Sequence, residues 1–98
     1  MRDRIKAAQS RDPILVELME KVHEGKFTDF NLDDEGILWI NEKLCIPDVD
    51  NLREEILEKV HFAAYSVYPG ATKMYHNIKD LYWWNRMKKD VADFVSNA

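Results

Sequence analysis

The sequence predicts an α+β fold that is mainly helical: a three-helix, helix-turn-helix-like bundle preceded by a helix and a small antiparallel hairpin or three-stranded sheet. Three observations predict it. In the second half of the chain apolar residues stand at helical spacing, with Leu52, Ile56, Val60 and Ala64 four apart, Met74, Ile78, Leu81 and Tyr82 repeating the pattern, and Met87, Val91, Phe94 and Val95 on a third stripe. In the first half one such stripe, Leu15, Leu18, Met19 and Val22, is followed by a run whose period falls toward two. Turn-forming residues separate these blocks. Three short helices facing one another bury their stripes economically, and so small a sheet must lean one face on a helix.

Residues 1–10 alternate charged and small side chains without a firm apolar stripe, which reads as a frayed connecting helix. Asp12-Pro13 opens a better one, because Asp caps free amides and Pro at the first helical position sacrifices no bond. Gly25 offers the stop, and His23 near that end reads as a solvated surface residue suited to the helix dipole. Phe27, Asp29-Phe30 and Leu32 then lead into the turn Asp33-Asp34-Glu35-Gly36. This acidic run lacks the alternate-position ligands and terminal glutamate of a calcium loop, so it reads as a solvated turn. Ile37, Leu38, Trp39 and Ile40 form a strand, Asn41-Glu42 a tight turn, and Lys43 to Ile46 a return strand stopped by Pro47.

Asp48, Asp50 or Asn51 can cap the next helix, and Asn51 followed three residues later by Glu54 approximates a capping box. That helix carries His61. The segment from Ala63 to Gly70 changes direction, Gly70 or Ala71 opens the following helix, and Asn85 after Trp84 can cap the last one. The chain therefore divides into an N-terminal lobe, residues 1–47, and a helical lobe, residues 48–98.

Composition narrows the function. Ninety-eight residues with 46% hydrophobic and 33% charged side chains suit one modest globular core. No apolar run approaches the roughly 18 residues of a membrane helix, and the N-terminus lacks the apolar core of a signal peptide. A single cysteine, Cys45, excludes an intrachain disulfide framework, fits a reducing intracellular setting and reads as a small buried apolar residue. The net charge of −4 is uneven: residues 1–51 hold seven Lys/Arg against twelve Asp/Glu, and residues 52–98 seven against six. Since nucleic-acid affinity comes mainly from phosphate neutralisation, any DNA contact belongs to the second half.

The order LREEIL, His61, Tyr68-Pro69-Gly70, Tyr82-Trp83-Trp84 and KKDVADFV closely resembles the N-terminal zinc-binding domain of integrases from gypsy-type LTR retrotransposons and their plant relatives. The run Leu44-Cys45-Ile46-Pro47 resembles the end of the segment preceding that domain, so the likeness covers nearly the whole chain, more specifically in its second half. In that family a zinc-ligand histidine ends the helix before the turn, a second histidine stands immediately before Pro-Gly, and a Cys-x-x-Cys follows the last helix. His61 matches the first ligand, Tyr68 occupies the place of the second, and Ala98 stands where the first cysteine is expected. A structural zinc site needs about four nitrogen, sulfur or oxygen ligands. A phenol with a reference pKa of about 10 is a poor ligand near neutral pH. No zinc in the family's mode, and no other cofactor, is expected. Two explanations stand side by side, an altered element or a chain ending just before its cysteine pair, and neither restores Tyr68.

Among candidate chemistries, the resemblance implies a parent enzyme that cuts and joins DNA with a carboxylate triad and two metals, which needs a larger rigid core than this chain contains. No Gly-rich phosphate loop, nucleophile elbow or Cys-His pair with an orienting partner occurs, so the chain reads as non-enzymatic, with no small-molecule substrate. DNA contact is the first hypothesis: residues 71–89 carry Lys73, Lys79, Arg86, Lys88 and Lys89 against Asp80 alone, interleaved with Tyr75, Tyr82, Trp83 and Trp84. Protein association, including a homo-oligomer, is the second, with Tyr65 and Tyr75 as anchors. Trp83 and Trp84 are expected in the core. His61 is expected as a packed histidine and His76 as an exposed one. A rearranged site joining His61, His76 and Cys45 follows no spacing rule. The resemblance thus implies the non-catalytic N-terminal region of a retrotransposon-type integrase, nuclear in its parent context, supporting assembly and DNA-end engagement. The alternative is a domesticated or engineered protein-interaction domain with neither DNA nor zinc.

Overall fold

Short-range signals account for most of the elements in the computed structural model, which describes residues 1–26, 29–64 and 71–97. Their order is α1 (Arg2–Gln9), α2 (Pro13–His23), β1 (Phe30–Leu32), β2 (Leu38–Ile40), β3 (Lys43–Cys45), α3 (Leu52–Ala64), α4 (Ala71–Ile78), β4 (Tyr82–Trp83) and α5 (Met87–Ser96). The fold is α+β and mainly helical, as expected. Phe27, residues 65–70 with Tyr65, Tyr68 and Gly70, and Ala98 lie outside the described residues.

Asp12 caps α2 as the sequence predicts, its carboxylate accepting from the Ile14 and Leu15 N–H groups with Pro13 behind it. The helix closes on Gly25 at φ +73°, with Lys26 N–H donating to Lys21 and Gly25 N–H to Val22, a Schellman arrangement that a residue with a Cβ would strain. Asn41 and Glu42 both take positive φ, +46° and +68°, the twist that a two-residue hairpin loop requires between β2 and β3. β1 and β2 are antiparallel, pairing Phe30 with Ile40 and Leu32 with Leu38, and β2 and β3 pair Trp39 with Leu44 and Ile40 with Lys43.

The sheet then continues past the expected three strands. β4 lies parallel to β3, with Leu44 opposite Tyr82 and Cys45 opposite Trp83; the Leu44 and Ile46 N–H groups donate to the Leu81 and Trp83 carbonyls, each at 3.0 Å. Helical spacing placed Leu81 and Tyr82 on the buried stripe of α4. Instead α4 ends at Ile78, and Leu81 is 60% exposed. The free edge of β3 supplies the reason: its amides need acceptors, and an aromatic pair fits a strand better than another helical turn.

A second departure concerns α1, expected as a frayed connector. Ile5, Ala8 and Gln9 are buried, and Ile5 and Ala8 enter the main core. That core gathers Ile37, Leu44 and Ile46 from the front segment with Leu52, Ile56, Leu57, Met74, Ile78, Trp84, Met87 and Val91 from the helical one. A smaller cluster of Leu15, Leu38 and Cys45 is flanked by Leu18, Met19, Val22, Phe30 and Trp83, with Trp83 edge-on to Phe30 at 5.4 Å. Trp83 and Trp84 thus anchor the two clusters, as expected. Arg86, not Asn85, precedes α5, in a left-handed conformation and without a side-chain cap.

Candidate functional site

The helical lobe is fixed to the front by a buried polar joint. Asp12 is 4% exposed; one carboxylate oxygen caps α2 and the other accepts the Asp48 N–H at 2.8 Å. Arg53, near the start of α3, donates through Nε to the Ile46 carbonyl at 3.0 Å, and its guanidinium lies 4.0 Å from both Asp12 and Asp48. The same guanidinium covers the Trp84 ring at 5.5 Å, and the Trp84 indole N–H donates to Asp90 on α5 at 2.8 Å. Burial lowers the Arg53 pKa, while Asp48, Asp12 and Asp90 oppose that shift. This joint sets where α3 and α5 stand. Sequence reasoning found the Asp12 cap but not its second role, since the 36-residue separation from Asp48 carries no local signal.

The basic residues of 71–89 spread over two helices and their connection. Lys73 is exposed on α4, Lys79 is half-buried just after it, and Arg86 is exposed at the entrance to α5. Lys88 and Lys89 are both exposed but neighbours in sequence, so they point about 100° apart around a helix with about 3.6 residues per turn. Lys89 pairs with Asp93 at 2.7 Å, one turn along α5. Lys88 faces α4, its ammonium 5.9 Å from the centre of the Tyr75 ring. Tyr75 is half-buried, packs against the main core and lies 6.2 Å, ring to ring, from His76. Together Thr72, Tyr75, His76, Lys88 and Ala92 line a cleft of about 220 Å³ between α4 and α5. Thr72 and Ala92 were not singled out in the sequence. Once the helices are placed, their spacing of three and four from Tyr75, His76 and Lys88 makes the grouping legible.

His61 stands in the last turn of α3, half-buried, with its ring edge-on to Phe94 of α5 at 5.5 Å. His76 is exposed on α4. Cys45 is fully buried in β3, where the lack of solvation pushes its thiol up to about 12. Among the described residues no three His, Cys, Asp or Glu side chains come together as a metal-binding group. Position 68 and Ala98, where the family places two of its ligands, lie outside the described residues. No helix among the described residues is long and apolar enough to cross a membrane.

The class these features define is a three-helix module, α3 to α5, carrying a histidine at the end of its first helix and docked through its tryptophans on a small sheet. Residues 49–97 match the family model of the integrase zinc binding domain, and the chain belongs to that family. The domain is non-catalytic in itself. No curated protein and no solved structure matches the chain.

Proposed function

We propose that this chain is the non-catalytic N-terminal region of a retrotransposon-type integrase, supporting multimer assembly and engagement of the element's DNA ends in the nucleus. The family match over residues 49–97 carries the reading. The cations Lys73, Lys79, Arg86, Lys88 and Lys89, carried by α4, α5 and their connection, support the DNA part, because phosphate contacts draw on such cations. Tyr65 and Tyr75 are the proposed anchors of assembly. Salt-dependent titration against duplex DNA tests the reading: affinity should fall steeply with salt, and Lys88→Glu with Lys89→Glu should weaken it. Unchanged migration of both duplex and single-stranded DNA at low salt would remove the DNA role.

The module is further read as folding without zinc in the family's mode. Tyr68 replaces a nitrogen donor by a phenol, and the Arg53, Trp84 and Asp90 contacts together with the shared core supply cohesion that zinc-dependent domains draw from the metal. Elemental analysis of the purified chain decides this, since one tightly held zinc per molecule contradicts it. One observation favours the alternative of a protein-interaction domain without DNA contact: Lys89 is already paired with Asp93. Sedimentation with and without duplex DNA separates the two.

A further inference from the structure

We propose that the cleft between α4 and α5 takes an unpaired segment of a nucleic-acid strand, its base lying on Tyr75 and its phosphodiester on Lys88; the inference rests on the nucleic-acid reading above. At about 220 Å³ the cleft is smaller than the roughly 300–1,000 Å³ of pockets that enclose small molecules, so it suits a part of a polymer crossing it. Its lining holds the Lys88 ammonium, the Thr72 hydroxyl, the His76 imidazole and the Tyr75 ring, with no carboxylate among the five residues. That set complements an anion with an attached planar group. An acidic peptide would use the cation and leave the ring idle.

Tyr75 suits the role of a platform. The core behind it fixes the ring, while Lys88, long and exposed, covers the ring only through an ammonium held 5.9 Å from its centre. A strand entering the cleft exchanges one contact for two: Lys88 swings from the ring to a phosphate oxygen, and a base takes its place. A blunt duplex cannot do this, because its bases already stack on one another. The cleft therefore prefers single-stranded over fully paired DNA.

Fluorescence anisotropy with labelled oligothymidylate, a blunt duplex and poly-glutamate at low salt tests this on the full chain. The wild type is expected to bind the single strand more tightly than the duplex. Tyr75→Leu keeps an apolar body against the core and should lower single-strand affinity about 10-fold, the scale of one lost base–aromatic stack. Ala92→Leu fills the exposed rim without touching the core and should produce a similar loss with an unchanged melting temperature. Single-strand affinity untouched by Ala92→Leu, no preference for the single strand, or poly-glutamate binding as tightly as the oligonucleotide would each overturn the cleft. If the duplex binds and only the single-strand preference is missing, this inference fails alone; if neither DNA binds, the DNA reading above falls with it.

Discussion

The side-chain amide of Gln9 holds both backbone groups of Leu38: its oxygen accepts the Leu38 N–H at 2.8 Å, and its nitrogen donates to the Leu38 carbonyl at 3.1 Å. The same nitrogen donates to the Cys45 carbonyl at 2.8 Å. The register pairing Ile40 with Lys43 and Trp39 with Leu44 next brings Leu38 opposite Cys45, and there the amide takes the place of the ladder. α1 is thus wired into the sheet, and at 1% exposed this polar residue is buried with its bonds satisfied.

Replacing Gln9 by Ala should leave two carbonyls and an amide without partners in the interior. A loss of about 3 kcal/mol is expected from urea unfolding, against about 1 kcal/mol or less for the exposed neighbour Ser10→Ala. Gln9→Glu should cost as much as Gln9→Ala, since a carboxylate cannot donate to the Leu38 and Cys45 carbonyls. Equal stability of wild type and Gln9→Ala would contradict this account of α1.

Asp12 uses both of its oxygens as acceptors, one toward α2 and one toward Asp48. Asp12→Ala should therefore lose the cap, worth about 1 kcal/mol, and strand a second donor, for a total of about 2 kcal/mol by chemical denaturation. Asp12→Asn keeps one acceptor oxygen only and should recover about half of that. Full recovery by Asn would mean that Asp48 N–H and Arg53 contribute nothing.

Deleting residues 1–47 removes Ile5, Ala8, Ile37, Leu44 and Ile46 from the main core and β3 from the side of β4. The remainder should be largely unfolded by far-ultraviolet circular dichroism. A cooperative melt of the truncated chain would show that the helical lobe stands alone.

Acid should loosen the hairpin first. The Asp33 carboxylate is held below the usual carboxylate range chiefly by the Ile37 N–H, then by the Trp39 indole, with Glu35 N–H and Arg2 adding to it. Because its folded pKa is depressed, its contribution is complete above the unfolded value, near pH 4, and is lost as pH falls through the folded value. Glu55, lowered by its bond to Arg4, acts in the same direction. The melting temperature should fall between pH 5 and pH 2, with Trp39 fluorescence reporting the change. Asp33→Asn should be less stable at neutral pH and show a shallower acid dependence; an acid limb of unchanged slope would assign the effect elsewhere.

What the sequence determined by itself were the features whose causes lie within a few residues. The Asp12-Pro13 start and Gly25 stop of α2, the Asn41-Glu42 turn, the stripes of α3 and α5, the tryptophan anchors and the family likeness of the helical segment were all legible, because caps, turns and periodicity act locally. Tertiary structure alone decided the rest. β4 exists because β3 offers unpaired amides to a segment nearly forty residues downstream, α1 is internal because Gln9 completes a ladder it does not belong to, and the cleft forms only where α4 and α5 meet. Each depends on a partner far away in the chain, and the hydrogen bond or burial that selects it has no counterpart in local propensity or pattern.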